Sequence, residues 1–214
     1  MNRQPVTRVT SPVIAFLEND VDTDRIIPAR FLTTLDHTAL GDQAFYDLRR
    51  RPDGSLDQEF VFNDPRMDGR SIMAVGRNFG CGSSREHAVW TLQGRGLSVL
   101  LGESFGDIFR LNWIKNGALA VPLGEQGMAR LASVLQAHPD EALTVDLSRN
   151  VIEFAGGSSL NFTIDPFERR LLLEGRSELE FLLGLEDSIN RYEQRVTPPV
   201  RVIGNGLAHA VVQR

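Results

Sequence analysis

A glycine-rich segment between two short apolar runs constrains the fold of this chain more than any other feature. The apolar runs are Ser71–Val75 and Leu97–Leu101, and the segment Gly76–His87 reads G-R-N-F-G-C-G-S-S-R-E-H. Residues 88–92 continue at helical spacing before the next glycines. A strand, a helix and a strand at this spacing predict a right-handed β-α-β unit with a buried parallel pair. The sequence therefore predicts an α/β fold.

The same segment has the features of an anion-binding loop. Ser83 and Glu86 fit the S-x-x-E capping box, which predicts that a helix begins at Ser83. A helix N-terminus offers unpaired N–H groups and a positive dipole end, and Arg85 adds a guanidinium that can hold a carboxylate bidentately. The glycines fit neither the P-loop nor the dinucleotide fingerprint. A capped glycine loop is also a common connector, so the pattern alone leaves both interpretations open.

The rest of the chain predicts a compact β/β/α domain with a mostly parallel, pocket-bearing layer. Antiparallel strands near the C-terminal part cover that layer, and a C-terminal helix follows. Strands are predicted at 13–17, 119–121, 143–147, 151–154 and 160–164, and helices at 35–51, 104–117, 126–137, 166–173 and 178–195. Residues 1–195 are expected to form one domain, and 196–214 a loosely ordered or partner-bound tail.

Composition excludes several functional classes. The 214 residues are 42% hydrophobic with a net charge of −5, which argues against a nucleic-acid-binding surface. No apolar run approaches the roughly 18 residues that a membrane span requires, and the N-terminus lacks an apolar signal segment. We therefore expect a cytoplasmic protein.

Cys81 is the only cysteine, so the chain has no intrachain disulfide and cannot hold an iron–sulfur cluster alone. The four histidines lack the paired spacing of a zinc site, and no metal site is expected. Because Cys81 lies between glycines and near Arg85, helix-dipole and charge arguments allow a lowered thiol pKa. We interpret Cys81 as a small packing residue near the site.

Two long motifs resemble the small subunits of 3-isopropylmalate dehydratases, which correspond to the swivelling fourth domain of aconitase-type hydro-lyases. They are F-G-C-G-S-S-R-E-H at 79–87 and D-V-D-T-D-R-I-I-P-A-R-F-L at Asp20–Leu32. The shorter S-F-G-D-I-F and N-G follow at 104–109 and 116–117. The resemblance implies a swivelling domain that acts only with a large subunit carrying a [4Fe–4S] cluster. It further implies the reversible dehydration of isopropylmalate in leucine biosynthesis.

The resemblance also implies roles for individual residues. Ser83 is the general base, acting as an alkoxide stabilised by nearby backbone donors. Ser84 and Arg85 bind a substrate carboxylate. The substrate-binding residues implied on the facing wall and in the following loop are Thr23, Asp24, Arg30, Phe31, Leu32 and Thr33. A serine that caps a helix is less available as a base, and the sequence leaves open which of the two Ser83 does.

Two alternatives remain. The same chemistry on a related hydroxy-dicarboxylate such as citramalate would need only a different pocket. A non-catalytic anion-binding module would explain the glycine loop and Arg85 without chemistry. The loop after Arg30 favours an alkylmalate, because Phe31 and Leu32 offer apolar surface and no cation accompanies Arg30.

Overall fold

The computed structural model of the chain describes residues 3–33, 40–82 and 85–195. The chain divides into two compact units, Met1–Glu178 and Leu179–Arg214. Both sheets and both long motifs belong to the first unit. The predicted boundary between a domain and a tail at residue 195 stays a prediction, since residues 196–214 lie outside the described part.

A four-stranded parallel sheet forms the centre of the first unit. Its strands in spatial order are β2 (Val13–Phe16), β3 (Ile72–Val75), β4 (Val99–Gly102) and β5 (Leu119–Pro122). Every residue of β3 and β4 is buried, which explains why both strands are continuous apolar runs in the sequence. The predicted parallel pair is confirmed, with Ile72 opposite Val99.

A second, antiparallel sheet contains the three strands predicted from the alternating sequence and one that was not predicted. Its order is β1 (Arg8–Ser11), β6 (Leu143–Asp146), β7 (Val151–Glu153) and β8 (Ser159–Asn161). β1 was missed because only Val9 among its four residues is apolar, so the segment carries no hydrophobic strand pattern. It forms by pairing with β6, from Arg8 opposite Asp146 to Ser11 opposite Leu143.

The helices whose bounds the described residues define confirm part of the prediction. They are α1 (Thr23–Ile26), α2 (Glu86–Gly94), α3 (Asp107–Lys115), α4 (Gly124–Ala137), α5 (Pro166–Glu174), α6 (Glu178–Leu183) and α7 (Glu186–Glu193). α5 begins as expected, because the Asp165 carboxylate accepts the N–H groups of Phe167 and Glu168 at 2.9 and 3.1 Å. It ends at Gly175, whose φ of 63° is left-handed.

Three predicted helices are wrong in extent. α3 begins at Asp107, because the Ser104 hydroxyl accepts the N–H of Asn78 at 2.9 Å and does not cap the helix. Of the helix predicted at 35–51, residues 35–39 lie outside the described part, and no helix continues to Arg51, since Phe45 has a φ of 52°. The single helix predicted at 178–195 is two helices, with Gly184 and Leu185 between α6 and α7.

The parallel sheet separates two hydrophobic cores, because alternate residues of each strand point to opposite faces. Met73 and Val75 of β3 pack in one core with residues of α2 and α3. Ile72 and Ala74 pack in the other with α4, α5 and the antiparallel sheet. This α/β arrangement of two sheets with helices confirms the predicted fold class, and it leaves the carboxyl edge of the parallel sheet for the site.

Candidate functional site

The loops that follow β2, β3 and β4 meet at one edge of the parallel sheet. The strands run in the same direction, so their carboxyl ends share this edge, where ligands of open α/β sheets commonly bind. The loop after β2 carries the first long motif, and the loop after β3 carries the second.

Backbone hydrogen bonds join the two motifs directly. The Gly80 N–H donates to the Val21 carbonyl at 2.7 Å, and the Thr23 N–H donates to the Cys81 carbonyl at 3.1 Å. Asp22 and Cys81 form an isolated parallel bridge. These bonds extend the pairing of β2 and β3 beyond the strands, so the two motifs have a fixed register.

Gly80 is the position where the loop depends on the absence of a side chain. Its φ is 76°, and an added Cβ would lie 2.2 Å from Cγ of Phe109. Phe109 comes from α3, is fully buried and packs edge-on against Phe79 with ring centroids 5.6 Å apart. The Phe79 carbonyl in turn accepts the Gly106 N–H at 2.9 Å. The β3 loop therefore lies directly on the start of α3.

We expect Gly80→Ala to lower the free energy of unfolding by about 2–5 kcal/mol, since a left-handed alanine and a steric clash add together. Gly69→Ala is the matched control, because Gly69 has a φ of 77° with nothing within 4 Å of the added Cβ. It should cost only about 1–2 kcal/mol. Urea unfolding of both variants measures the difference, and equal losses would show that Phe109 yields without cost.

Asp24 and Arg85, which come from different motifs, form an ion pair at this edge. The Asp22 carboxylate begins α1 by accepting the Arg25 N–H at 2.8 Å, and Asp24 lies in the first turn. Arg85 Nη1 donates to Asp24 Oδ1 at 2.7 Å. The side chains of Arg85 and Asp24 are 33% and 61% exposed, so the pair contributes at most about 1 kcal/mol to stability. Its consequence is geometric, because it places a guanidinium with further N–H donors at the junction of both motifs.

The capping box predicted at Ser83 and Glu86 is wrong. α2 begins at Glu86, and the N-cap is Arg85, whose φ of −104° and ψ of 137° are extended. The Arg85 side chain makes no capping hydrogen bond, because a guanidinium has only donors and cannot accept a backbone N–H, and it donates to Asp24. Glu86 accepts a hydrogen bond from Asn116 rather than from an N-cap residue. Ser83 and Ser84 lie outside the described residues, so their predicted roles stay predictions.

The other predicted substrate contacts lie in the loop after α1. Thr23 is buried at 3% exposure, and Phe31 and Leu32 are half-buried against the core that contains α2. Thr33 is exposed. The structure brings Thr23 and Asp24 to the Arg85 edge, and contact of any of these residues with substrate stays a prediction.

Arg30 has a carboxylate partner within the chain. Its guanidinium binds Asp47 with two hydrogen bonds and lies over the rings of Phe31 and Tyr46, 4.8 and 5.1 Å from the centroids. The hydrogen bonds from Arg30 hold the pKa of the Asp47 carboxyl below its ordinary value, so Asp47 stays charged near neutral pH. Arg30 therefore presents a compensated charge rather than an isolated cation.

Cys81 differs from the expectation of a lowered pKa. Burial raises the pKa of its thiol above the ordinary value, and the carboxylates of Asp22 and Asp20 raise it further. The negative charges of the first motif lie close to the sulfur, which the sequence spacing to Arg85 could not reveal. A thiol in this environment is a poor nucleophile at neutral pH.

Within residues 3–33, 40–82 and 85–195, no three histidine, cysteine or acidic side chains form a group that could hold a metal ion. In the same part of the chain, no helix has the length and apolar character needed to cross a membrane.

Asp22 and Asn116 both have positional roles. The Asp22 carboxylate starts α1, which agrees with the general tendency of Asp to form turns and helix caps. Asn116 was noted only in the dipeptide N-G, although its side chain contacts α2. Asp at a helix start is a recognisable signal, whereas no local pattern indicates that an asparagine contacts a distant helix.

Comparisons with known proteins agree on one family. The model of the aconitase C-terminal domain matches residues 9–126. The 3-isopropylmalate dehydratase small subunit of Roseiflexus castenholzii is 41% identical over 92% of this chain and 96% of its own length. The small subunit of Chloroflexus aggregans is 39% identical over 92% and 97%.

A solved structure supports the fold. The crystal structure of 3-isopropylmalate dehydratase from Methanocaldococcus jannaschii matches with a TM-score of 0.62 at 24% identity, covering 86% of this chain and 99% of that one. With the family model matching more than half of its length, and the relatives covered almost completely, the chain belongs to the aconitase C-terminal domain family, among the 3-isopropylmalate dehydratase small subunits.

Proposed function

We propose that this chain is the small subunit of a heteromeric hydro-lyase that interconverts 2-isopropylmalate and 3-isopropylmalate by dehydration and rehydration, in leucine biosynthesis. The observation that carries the proposal is the similarity to 3-isopropylmalate dehydratase small subunits, about 40% identical over nearly their whole length. The junction of the two motifs at Asp24 and Arg85 supports it, because a dicarboxylate substrate needs a cation at a fixed place.

The chain's own residues would bind the substrate and move a proton. Arg85 would hold one substrate carboxylate through N–H donors that Asp24 does not use, while Asp24 fixes the direction of the guanidinium. Ser83, two residues before Arg85, would accept the proton from the carbon next to a carboxylate. Because Arg85 rather than Ser83 is the N-cap of α2, the proposal does not require the Ser83 hydroxyl to serve as the cap.

The departing hydroxyl needs a Lewis acid, and the residues of this chain do not fit the [4Fe–4S] cluster that supplies it in the family. One cysteine cannot replace the several thiolates that a cluster requires. We therefore assign the cluster to a large subunit. The exposure of Asp24 and Arg85 supports such a partner, since developing charge is best stabilised in a site closed to bulk solvent and this edge is open in the single chain. The working compartment proposed for the complex is the cytoplasm.

A related hydroxy-dicarboxylate such as citramalate is the second candidate substrate. It uses the same carboxylate contacts and differs in the size of the alkyl group. The non-catalytic anion-binding module is less well supported, because the relatives that are similar over the full chain are named as subunits of a dehydratase.

We expect the complex with its large subunit to have a kcat/KM for isopropylmalate at least about 10²-fold above that for homocitrate. The isopropyl group gains roughly 0.8 kcal/mol for each CH₂ buried against Phe31 and Leu32. A third carboxylate lacks a cation, because Arg30 already binds Asp47, and an unpaired buried charge is strongly penalised. Citramalate should fall between the two.

The three acids are compared in one preparation under identical conditions, with the appearance of the unsaturated intermediate as the readout. A higher kcat/KM for homocitrate would contradict the assignment of this loop to an alkyl group. A higher value for citramalate would keep the chemistry and change the substrate.

A further inference from the structure

Asn116 connects the C-terminal end of α3 to the side of α2. Its Nδ2 donates to Glu86 Oε1 at 2.8 Å and to the Asn112 carbonyl at 2.9 Å. Its Oδ1 accepts from Trp90 Nε1 at 3.2 Å. Its backbone carbonyl accepts from Gln93 Nε2, also at 3.2 Å. One residue therefore binds α2 at three places.

The three α2 residues lie on one stripe of that helix, because Glu86, Trp90 and Gln93 are separated by about one and two helical turns. Asn116 itself has a fixed position. It is the C-cap of α3, its N–H donates to the Asn112 carbonyl at 3.0 Å, and Gly117 follows with a φ of 79°. A rigid helix end thus holds α2 along its length.

The contact at Glu86 lies next to the site. Glu86 is the first residue of α2 and directly follows Arg85, whose guanidinium binds Asp24. No side chain caps α2 from the N-cap position, since Arg85 makes no capping bond. The hydrogen bond from Asn116 to Glu86 is therefore a lateral restraint on the first turn of α2.

We propose that Asn116 is a positioning residue: it fixes the first turn of α2 and so sets the direction from which Arg85 presents its guanidinium to the substrate carboxylate. This inference rests on the proposed function. A purely structural role would be to join α2 and α3, and then loss of the contact would lower stability without a specific effect on substrate binding.

The test first breaks the hydrogen bond between Asn116 and Glu86 and then restores it with donor and acceptor exchanged. Asn116→Asp removes the Nδ2 donor and places a carboxylate opposite Glu86, so the two side chains repel. In Asn116→Asp/Glu86→Gln the new amide can donate to the new carboxylate, which restores the hydrogen bond with reversed polarity. Asn161→Asp makes the same chemical change at an exposed residue of β8 and controls for net charge.

For the complex with its large subunit, we expect Asn116→Asp to lower kcat/KM for isopropylmalate about 10- to 100-fold, with KM raised, because a small misplacement of a binding group has an effect of this size. The double variant should have a kcat/KM close to that of Glu86→Gln alone. In a double-mutant cycle, this recovery indicates a direct interaction between the two side chains. Glu86→Ala deletes the same hydrogen bond from α2 and replaces Asn116→Asp as the test if that variant does not fold.

If the wild-type complex is active and the Asn116→Asp or Glu86→Ala complex keeps the wild-type KM and kcat, the positioning role is overturned. A double variant no better than Asn116→Asp would do the same. A folded wild-type complex that does not convert isopropylmalate would instead refute the proposed function.

Discussion

Replacement of Ser83 by alanine is expected to lower the kcat of the complex about 10²–10⁴-fold, the usual contribution of a general base. Alanine leaves no oxygen at this position to accept the proton from the substrate carbon. KM should change little, because the carboxylate contact assigned to Arg85 and the pair of Arg85 with Asp24 remain. The rate of a single turnover after rapid mixing, measured with saturating isopropylmalate, separates this loss from any effect on product release.

The same variant should assemble and unfold like the wild type. α2 begins at Glu86 with Arg85 as its N-cap, so Ser83 is not the N-cap residue and its loss should cost less than the roughly 1 kcal/mol of a lost cap. Ser159→Ala, at an exposed residue of β8, is the control for removal of a serine hydroxyl. A Ser83→Ala complex with a kcat near that of the wild type would contradict the role of Ser83 as base.

The parallel sheet was predictable because burial on both faces makes a strand uniformly apolar. For this reason Ser71–Val75 contains β3, and Leu97–Leu101 contains all of β4 except Gly102. The ends of α5 carry recognisable signals. The Asp165 side chain can cap a helix start, and Gly175 can adopt the left-handed φ that ends a helix. The site followed in part from the same logic, because loops after parallel strands meet at one edge.

Other features depend on contacts between distant segments. β1 exists through its pairing with β6, and Arg30 is neutralised by Asp47, 17 residues away in the sequence. The capping box failed because α2 begins only at Glu86, with Arg85 as its N-cap and the Arg85 side chain paired with Asp24 of the other motif. The pKa of the Cys81 thiol is raised by burial and further by the carboxylates that the folded first motif brings near it. None of these partners is indicated by the residues next to it.

The second large expected effect, after the loss of kcat in Ser83→Ala, is the dependence of activity on the large subunit. We expect the isolated chain to be colourless and to have no measurable turnover of isopropylmalate. Its one cysteine cannot hold a cluster, and Asp24 and Arg85 lie open to water, so both the Lewis acid and the closed site are missing. Addition of the large subunit with an intact [4Fe–4S] cluster should produce activity that saturates with the concentration of this chain.

The most direct test of the account is a titration of this chain into a fixed amount of cluster-loaded large subunit, with the rate of isopropylmalate isomerisation recorded under anaerobic conditions. We expect no rate from either protein alone and a rate that rises to a plateau at a fixed ratio of the two. Turnover by this chain alone in metal-free buffer, or a mixture of the two folded subunits that forms a complex without isomerising isopropylmalate, would contradict it.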